Sequence, residues 1–385
     1  MKLKHLELFA GIGGFRKAID LLSKDFGIDA ECVGFSEKDS YAIKTYKSNY
    51  DTESEVELGD IEDFTSDRRN IENLPDFDLL TGGFPCQAFS MMGQQKGFED
   101  IRGNVFYTIA KILEVKQPKF LLLENVKNLI KHDEGRTFKT VIDTLESVGY
   151  KKNNIHYGVF DSNDFGLAQK RNRVFIFASR EDLPLFFHFG VEYVKSSFRP
   201  LNGESSILRQ KNVLDVLSSK VSSKYYLSDK IKPTILADGS KNFQSKSEIN
   251  QLTARPLTAT MVKMHRACQD NYYSDEFLNA PNPISFSNQV FTKEELKHHR
   301  IRRITPEEAF KLQGFDSSFY ENAIASNVSD HQLYKQAGNA VSVNTVYAIL
   351  YYLFINQQLI SKINDRSKPQ NQNKIIFTKK LHELI

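Results

Sequence analysis

Short apolar runs alternate with amphipathic stretches through the first half of the chain. The runs lie at Leu3–Phe9, Cys32–Ser36, Val56–Leu58, Asp78–Thr81, Phe120–Leu123, Ile155–Val159 and Val174–Ala178, and several stop at Gly, Pro or an acid. Between them, Phe15–Ser23, Ser40–Ser48, Asn104–Val115 and Thr137–Ser147 place apolar residues at helical spacing. This alternation predicts an α/β fold: a mostly parallel sheet with helices on both faces. The texture changes near residue 183. From Leu183 to Lys297 periodicity is poor and Ser-rich pieces such as Ser218–Lys224 recur, which predicts a smaller loop- and strand-rich domain. Thr305-Pro-Glu-Glu308 then signals a helix start, with Pro at the first helical position and a capping-box carboxylate. Ala340–Phe354 reads as an apolar helix that packs back on the sheet, and residues after Asn356 as a polar appendage. The expected division is a first domain over 1–182, a second over 183–297, a connecting helical segment over 298–330, and a segment over 331–385 that returns to the first domain.

Composition adds little to this and excludes some classes. With 385 residues, 40% hydrophobic and 26% charged, the chain can bury a full core. No apolar run approaches the roughly 20 residues of a membrane span, and Met1–Glu7 lacks a signal-peptide core. A cytoplasmic monomer with no membrane partner is expected. Cys32, Cys86 and Cys268 are the three cysteines; they form no CxxC pair and no disulfide framework, so no metal is expected. The net charge of +3 is weak by itself. His298–Arg303 and Gln169–Arg173 concentrate positive charge in the second half, as a nucleic-acid partner requires.

Candidate chemistry begins at Asp78-Leu-Leu-Thr-Gly-Gly-Phe-Pro-Cys-Gln-Ala-Phe-Ser90. The strand stops at Gly82-Gly83, and Pro85 fixes the backbone so that Cys86 stands at the strand's carboxyl end, where open α/β sheets place ligands. Cys86 is a candidate nucleophile there. Leu121-Leu-Leu-Glu124-Asn125-Val126 ends another strand in a carboxylate, and Gln169-Lys-Arg171-Asn-Arg173 sets cations just ahead of a third. Phe9-Ala10-Gly11-Ile12-Gly13-Gly14-Phe15 opens a helix after the first strand. A dinucleotide fingerprint would need a third glycine at position 16, which is Arg16, so NAD is disfavoured. Glu37, after the second strand, suits two ribose hydroxyls; Asp60 and Ile61, after the third, suit an adenine amino group and ring face.

Nucleophile, acid and guanidinium in this order resemble the DNA (cytosine-5)-methyltransferase family. The resemblance covers residues 3–180 and 299–350, including Tyr334–Val343, which is similar to the family's closing motif. It implies a Rossmann-like methyltransferase fold that takes S-adenosylmethionine and releases S-adenosylhomocysteine. Phe9–Gly14 would form the cofactor loop, with Glu37 on the ribose, Asp60 and Ile61 at the adenine, and Pro85, Asn339 and Ala340 bordering the rest. The family often carries an aromatic residue after the ribose glutamate; here it is Lys38. Catalysis would fall to Cys86, Glu124, Arg173 and Arg171, the last near phosphate or Cys86. The glycine-rich stretch Ser90–Asn104 reads as a lid, and Gln87, Ser90, Gln94 and Arg102 are expected against duplex DNA. Residues 183–297 would be the target-recognition domain. Within it Arg255–Met261 resembles the family's Thr-Leu element, with Met261 replacing Leu; Arg255, Thr260, Met261, Lys263 and Arg266 are candidate DNA contacts. The implied activity is methylation of cytosine C5 in a short duplex sequence through base flipping and a Cys86–C6 bond, beside a separate cognate restriction endonuclease. An RNA cytosine-5 methyltransferase and an inert DNA-binding regulator are the alternatives.

Overall fold

The structure, a computed structural model, describes residues 2–85, 105–180, 183, 187–198, 205–239 and 245–363. Cys86, Gln87, Ser90, Gln94 and Arg102, and with them the lid reading, lie outside these residues. All the expected strands of the first domain form: β1 Lys2–Leu8, β2 Asp29–Phe35, β3 Val56–Glu57, β4 Leu79–Gly83, β5 Phe120–Val126, β6 Ile155–Asp161 and β7 Asn172–Ser179. They make one seven-stranded sheet in the order β3-β2-β1-β4-β5-β7-β6. Strands β1 to β5 pair in parallel. Strand β7 runs antiparallel to both of its neighbours.

Side chains alternate across this sheet and feed two cores. Phe120, Leu122, Phe175 and Phe177 point to one core, while Leu121, Leu123, Val174 and Ile176 point to the other. A strand buried on both faces reads as a continuous apolar run, as Phe120–Leu123 does. The helices α1 Gly14–Phe26, α2 Ser40–Asn49, α3 Ile61–Phe64, α4 Arg68–Glu72, α5 Val105–Lys116 and α6 Arg136–Ser147 cover the sheet. Phe15, Ile19 and Leu22 of α1 join the first core; Ile109, Leu113 and Val141 of α5 and α6 join the second.

The expected helix Ala340–Phe354 is in part a chain break. A helix Asp330–Asn339 ends at Ala340, whose ψ of 145° is extended, and a new helix runs Val343–Leu350 before a π turn over Tyr351–Asn356. Val346, Ile349 and Leu350 share the core with α1. Together Asp330–Asn356 is long and apolar enough for a membrane span, yet 78% of its most apolar window is buried inside the protein. Its apolar character serves the core.

Residues 183–297 hold less strand than expected. Among the described residues this region has short helices and turns, and one strand, β8 Tyr272–Ser274, which pairs with β9 Ile301–Arg303 from the segment read as a connector. Leu227, Ile235, Leu236, Tyr272, Leu296 and Ile301 form a small core of its own. The helix at Thr305 starts as its sequence predicts: Glu308 N donates to Thr305 Oγ1 at 3.2 Å and Thr305 N to Glu308 Oε2 at 2.7 Å. The same carboxylate corrects the reading of His298–Arg303 as a basic face. Arg302 is wholly buried, with Nη1 and Nη2 donating to Glu308 at 2.9 and 2.8 Å. Arg300 pairs with Asp275 at 3.0 Å. Arg302 therefore serves the fold, while Arg300 forms a surface pair.

Candidate active site

The carboxyl ends of the parallel strands gather the predicted groups on one edge of the sheet. β1 leads into the loop Phe9–Gly13, β2 into Glu37, β3 into Asp60, β4 into Pro85, and β5 carries Glu124. Because β7 is antiparallel, its amino end lies at that same edge, with Arg173 opposite Val126 of β5. Residues that precede a strand thereby face residues that end one.

On the cofactor side the loop is built for close approach. Phe9, Gly11 and Gly13 have φ of 54°, 56° and 83°, a region glycine enters freely and phenylalanine rarely. Phe9 is held there by its N–H to Ser36 Oγ at 3.1 Å, and Ala10 by its N–H to Ser36 O at 2.8 Å. Glu37 accepts from Gly11 N at 2.8 Å, Lys38 N at 2.9 Å and Asp39 N at 2.8 Å, so its carboxylate is fixed against the loop. A Cβ at Gly11 or Gly59 would meet nothing within 4 Å; there is room for a ligand at both turns. Gly14 is different: a Cβ there would lie 2.6 Å from Val341 Cγ1, and this contact brings Ala340 and exposed Asn339 to the loop. Asp60 caps α3 by accepting from Glu62 N at 3.0 Å, and Lys38 Nζ stands 3.6 Å from its other oxygen. Ile12 and Ile61 are buried in the two cores.

On the catalytic side Glu124 and Arg173 form an ion pair, Oε1 to Nε 3.0 Å, with side chains 13% and 21% exposed. Burial raises the Glu124 carboxyl above its ordinary range, opposed by Arg173 and then Arg171; the result is an acid that keeps a proton longer than a free one. Arg171 does not reach outward. Its Nη1 donates to Leu257 O at 2.9 Å, and its Nη2 to Gly338 O at 3.2 Å and Ala340 O at 2.9 Å. It ties the sheet to the recognition element and to the closing motif, while its buried Nε has no partner among the described residues. Gln169 does the same two residues earlier, accepting from Leu257 N at 2.8 Å and donating to Leu312 O at 2.9 Å.

The candidate recognition residues divide. Thr260 is exposed, its Oγ1 3.4 Å from Thr258 Oγ1, and Lys263 is exposed. Arg255 is tied down, Nε to Ala267 O at 3.1 Å, and Arg266 donates to Asp238 O. Met261 is 8% exposed and belongs to the first core. The face of this element open to a partner is therefore Thr258, Thr260 and Lys263.

A family model described as C-5 cytosine-specific DNA methylase matches residues 3–354. The chain belongs to that family. It is an enzyme of cytosine C5 methylation in DNA, and S-adenosylmethionine is the cofactor that this family implies. The chain is 36% identical over 349 residues to the Type II methyltransferase M1.ScrFI of Lactococcus lactis subsp. cremoris, covering 90% of this chain and 77% of that protein. It is 32% identical over 353 residues to the Type II methyltransferase M.HhaI of Haemophilus parahaemolyticus, covering 91% and 93%. Among solved structures, an Entamoeba histolytica methyltransferase, EhMeth, superposes with a TM-score of 0.67 at 21% identity over 92% of this chain and 99% of that one. The S. pombe Dnmt2 methyltransferase gives 0.66 at 20% identity, covering 92% and 99%. Both likenesses concern the fold.

One residue that organises this methylase's edge was not singled out from sequence. Asn125 is buried beside Glu124 and donates from Nδ2 to Phe84 O at 2.9 Å, which fixes the backbone just ahead of Pro85 and Cys86. The available signal was an amide following Glu124 near the end of a largely apolar strand, where a buried polar group needs a partner.

Proposed function

We propose that this chain methylates C5 of a cytosine within one short duplex sequence, as the modification enzyme of a bacterial restriction system. The observation that carries this is the Glu124–Arg173 pair at 3.0 Å, set at the strand edge next to the turn that leads into Cys86. The named relatives, Type II methyltransferases, support the cellular role and a cognate endonuclease that cuts the same site.

Cytosine C5 is a poor nucleophile until C6 carries an added group. The Cys86 thiolate forms a bond to C6, and Glu124 delivers its proton to N3 as charge builds there. Arg173 offers guanidinium donors to O2. C5 then carries the negative character and bonds the methyl group. Loss of the C5 proton to a base or water, return of the N3 proton and departure of the thiolate restore the ring. S-adenosylmethionine would supply the methyl group from its sulfonium, the S–CH3 bond breaking to leave the thioether S-adenosylhomocysteine; Glu37, Asp60, the Phe9–Gly14 backbone and the Asn339–Ala340 turn are the residues that would hold it. The base must leave the duplex to reach this edge, at a cost of a few kcal/mol. Thr260, Lys263 and Arg266 lie in the region assigned to sequence reading.

Transfer of a labelled methyl group to duplex DNA and to tRNA, with bisulfite sequencing of DNA from expressing cells, tests substrate and site together. Duplex DNA methylated at a single sequence context is expected. Cys86→Ala should abolish transfer, and a 5-fluorocytosine duplex should trap an adduct with the native protein alone. Turnover by the alanine variant, or transfer only to tRNA, would overturn the reading.

A further inference from the structure

Against the cofactor loop at Gly13 lies a buried cluster of ionisable side chains that the proposed chemistry leaves unused. Tyr50, at the end of α2, donates its hydroxyl to Gly13 O at 2.7 Å. The fit is close: a Cβ at Gly13 would lie 2.4 Å from Tyr50 Cε2 and 2.9 Å from Tyr46 Cε2. The guanidinium of Arg16, which takes the place of the third glycine of a dinucleotide loop, stacks 4.6 Å from the Tyr50 ring centre and 5.6 Å from that of Tyr46. Arg16 in turn donates to Tyr46 Oη at 3.3 Å, to Asp51 O at 3.2 Å and to Glu55. Tyr46 passes its hydroxyl to Glu7 Oε2 at 3.3 Å.

Glu7 is wholly buried and the Glu55 side chain is 3% exposed. Apolar residues would fill this space with less desolvation cost, so burying ionisable groups is a poor way to gain stability alone. What such a network supplies is geometry: the Tyr46 hydroxyl lies between Arg16 and Glu7, and Tyr50 is held by its bond to Gly13 and by the stacked Arg16. The network meets the loop carbonyls where Tyr50 donates to Gly13 O, one residue from the α1 start and two from Gly11.

We infer that Tyr50, held in place by the Arg16–Tyr46–Glu55 cluster, is a positioning residue that sets the cofactor loop for S-adenosylmethionine. This rests on the assignment of Phe9–Gly14 and Glu37 to the cofactor. Tyr50→Phe keeps the ring and removes only the hydroxyl. Titration of the full-length protein with S-adenosylmethionine and with S-adenosylhomocysteine should show affinity lowered about 3- to 10-fold, the effect of one lost neutral hydrogen bond. The rate at saturating cofactor and the affinity for duplex DNA should stay as in the native protein, with Tm lowered by no more than about 2–4 °C. Arg16→Lys, which keeps the charge but loses the planar fork, should weaken cofactor binding in the same direction. Glu37→Ala serves as the reference. If it weakens the cofactor while Tyr50→Phe leaves affinity unchanged, the positioning role is wrong and the cofactor assignment stands. If neither variant weakens binding, both fall. A Tyr50→Phe protein whose Tm, rate and affinity decline together would mark a purely structural residue and would also overturn the proposal.

Discussion

Arg173 Nε stands 3.0 Å from Glu124 Oε1 because β7 runs against β5 and so offers its first residues to the edge where β5 ends. Glu124→Gln keeps the shape and removes the acid proton that can be transferred to the base. Single-turnover methyl transfer should fall about 10²- to 10⁴-fold, with DNA affinity retained. The native rate should also decline on the alkaline side, since burial raises the Glu124 carboxyl and an acid is lost as pH rises through its own pKa. A pH–rate profile of the native protein that lacks this limb would remove Glu124 as the acid.

Glu7 makes stability depend on pH. Burial, opposed by Arg16 and the Tyr46 hydroxyl, pushes its carboxyl from 4.5 up to about 8. The folded protein thus favours the neutral acid. Its contribution to stability is whole below the unfolded pKa and is lost as pH rises through about 8. Thermal unfolding between about pH 5 and about pH 8 should show a Tm that falls and then levels off, and Glu7→Gln should flatten most of that fall.

Gly338 admits no side chain. A Cβ there would lie 2.2 Å from Thr258 C and 2.4 Å from Ala259 N, backbone atoms that cannot rotate away. Gly338→Ala should cost about 1–3 kcal/mol in urea unfolding. It should also blur discrimination between cognate and single-mismatch duplexes, because the displaced backbone carries Thr258 and Thr260. Equal discrimination with the stability loss intact would mean that this contact serves packing alone.

Arg302 and Glu308 are buried partners, so removing one is worse than removing both. Arg302→Met should lose about 3–5 kcal/mol, and Arg302→Met with Glu308→Leu clearly less. Neither should change the salt dependence of DNA binding, which a phosphate contact would. Denaturant titration and binding at two salt concentrations check the two halves.

The first-domain strands were legible because period and punctuation are local properties: apolar runs closed by Gly82-Gly83 or Glu124 need no partner to be read. The Thr305–Glu308 cap is local as well. The direction of β7 was not legible, since an apolar run looks alike in either orientation, and that direction is what joins Arg173 to Glu124. Arg171, Arg302 and Met261 read as exposed candidates because charge or motif likeness says nothing of burial, which depends on Leu257, Glu308 and the core around them. The break at Ala340–Ser342 was hidden within an unbroken apolar run. Tyr50 and Asn125 act through backbone carbonyls of distant segments, and no spacing rule reports such bonds.

The last helices cover the first strands. Val346, Ile349 and Leu350 share a core with Phe15, Ile19 and Leu22, Tyr347 donates to Asp25 at 2.7 Å, and Val341 presses on Gly14. During synthesis β1 and α1 therefore emerge long before Val343–Leu350, the helix that packs on them, has been made, a condition in which nascent proteins aggregate or need holding. A product that stops before Val343 has an uncovered sheet and an unsupported loop, so premature termination should leave the cell no partly active methylase.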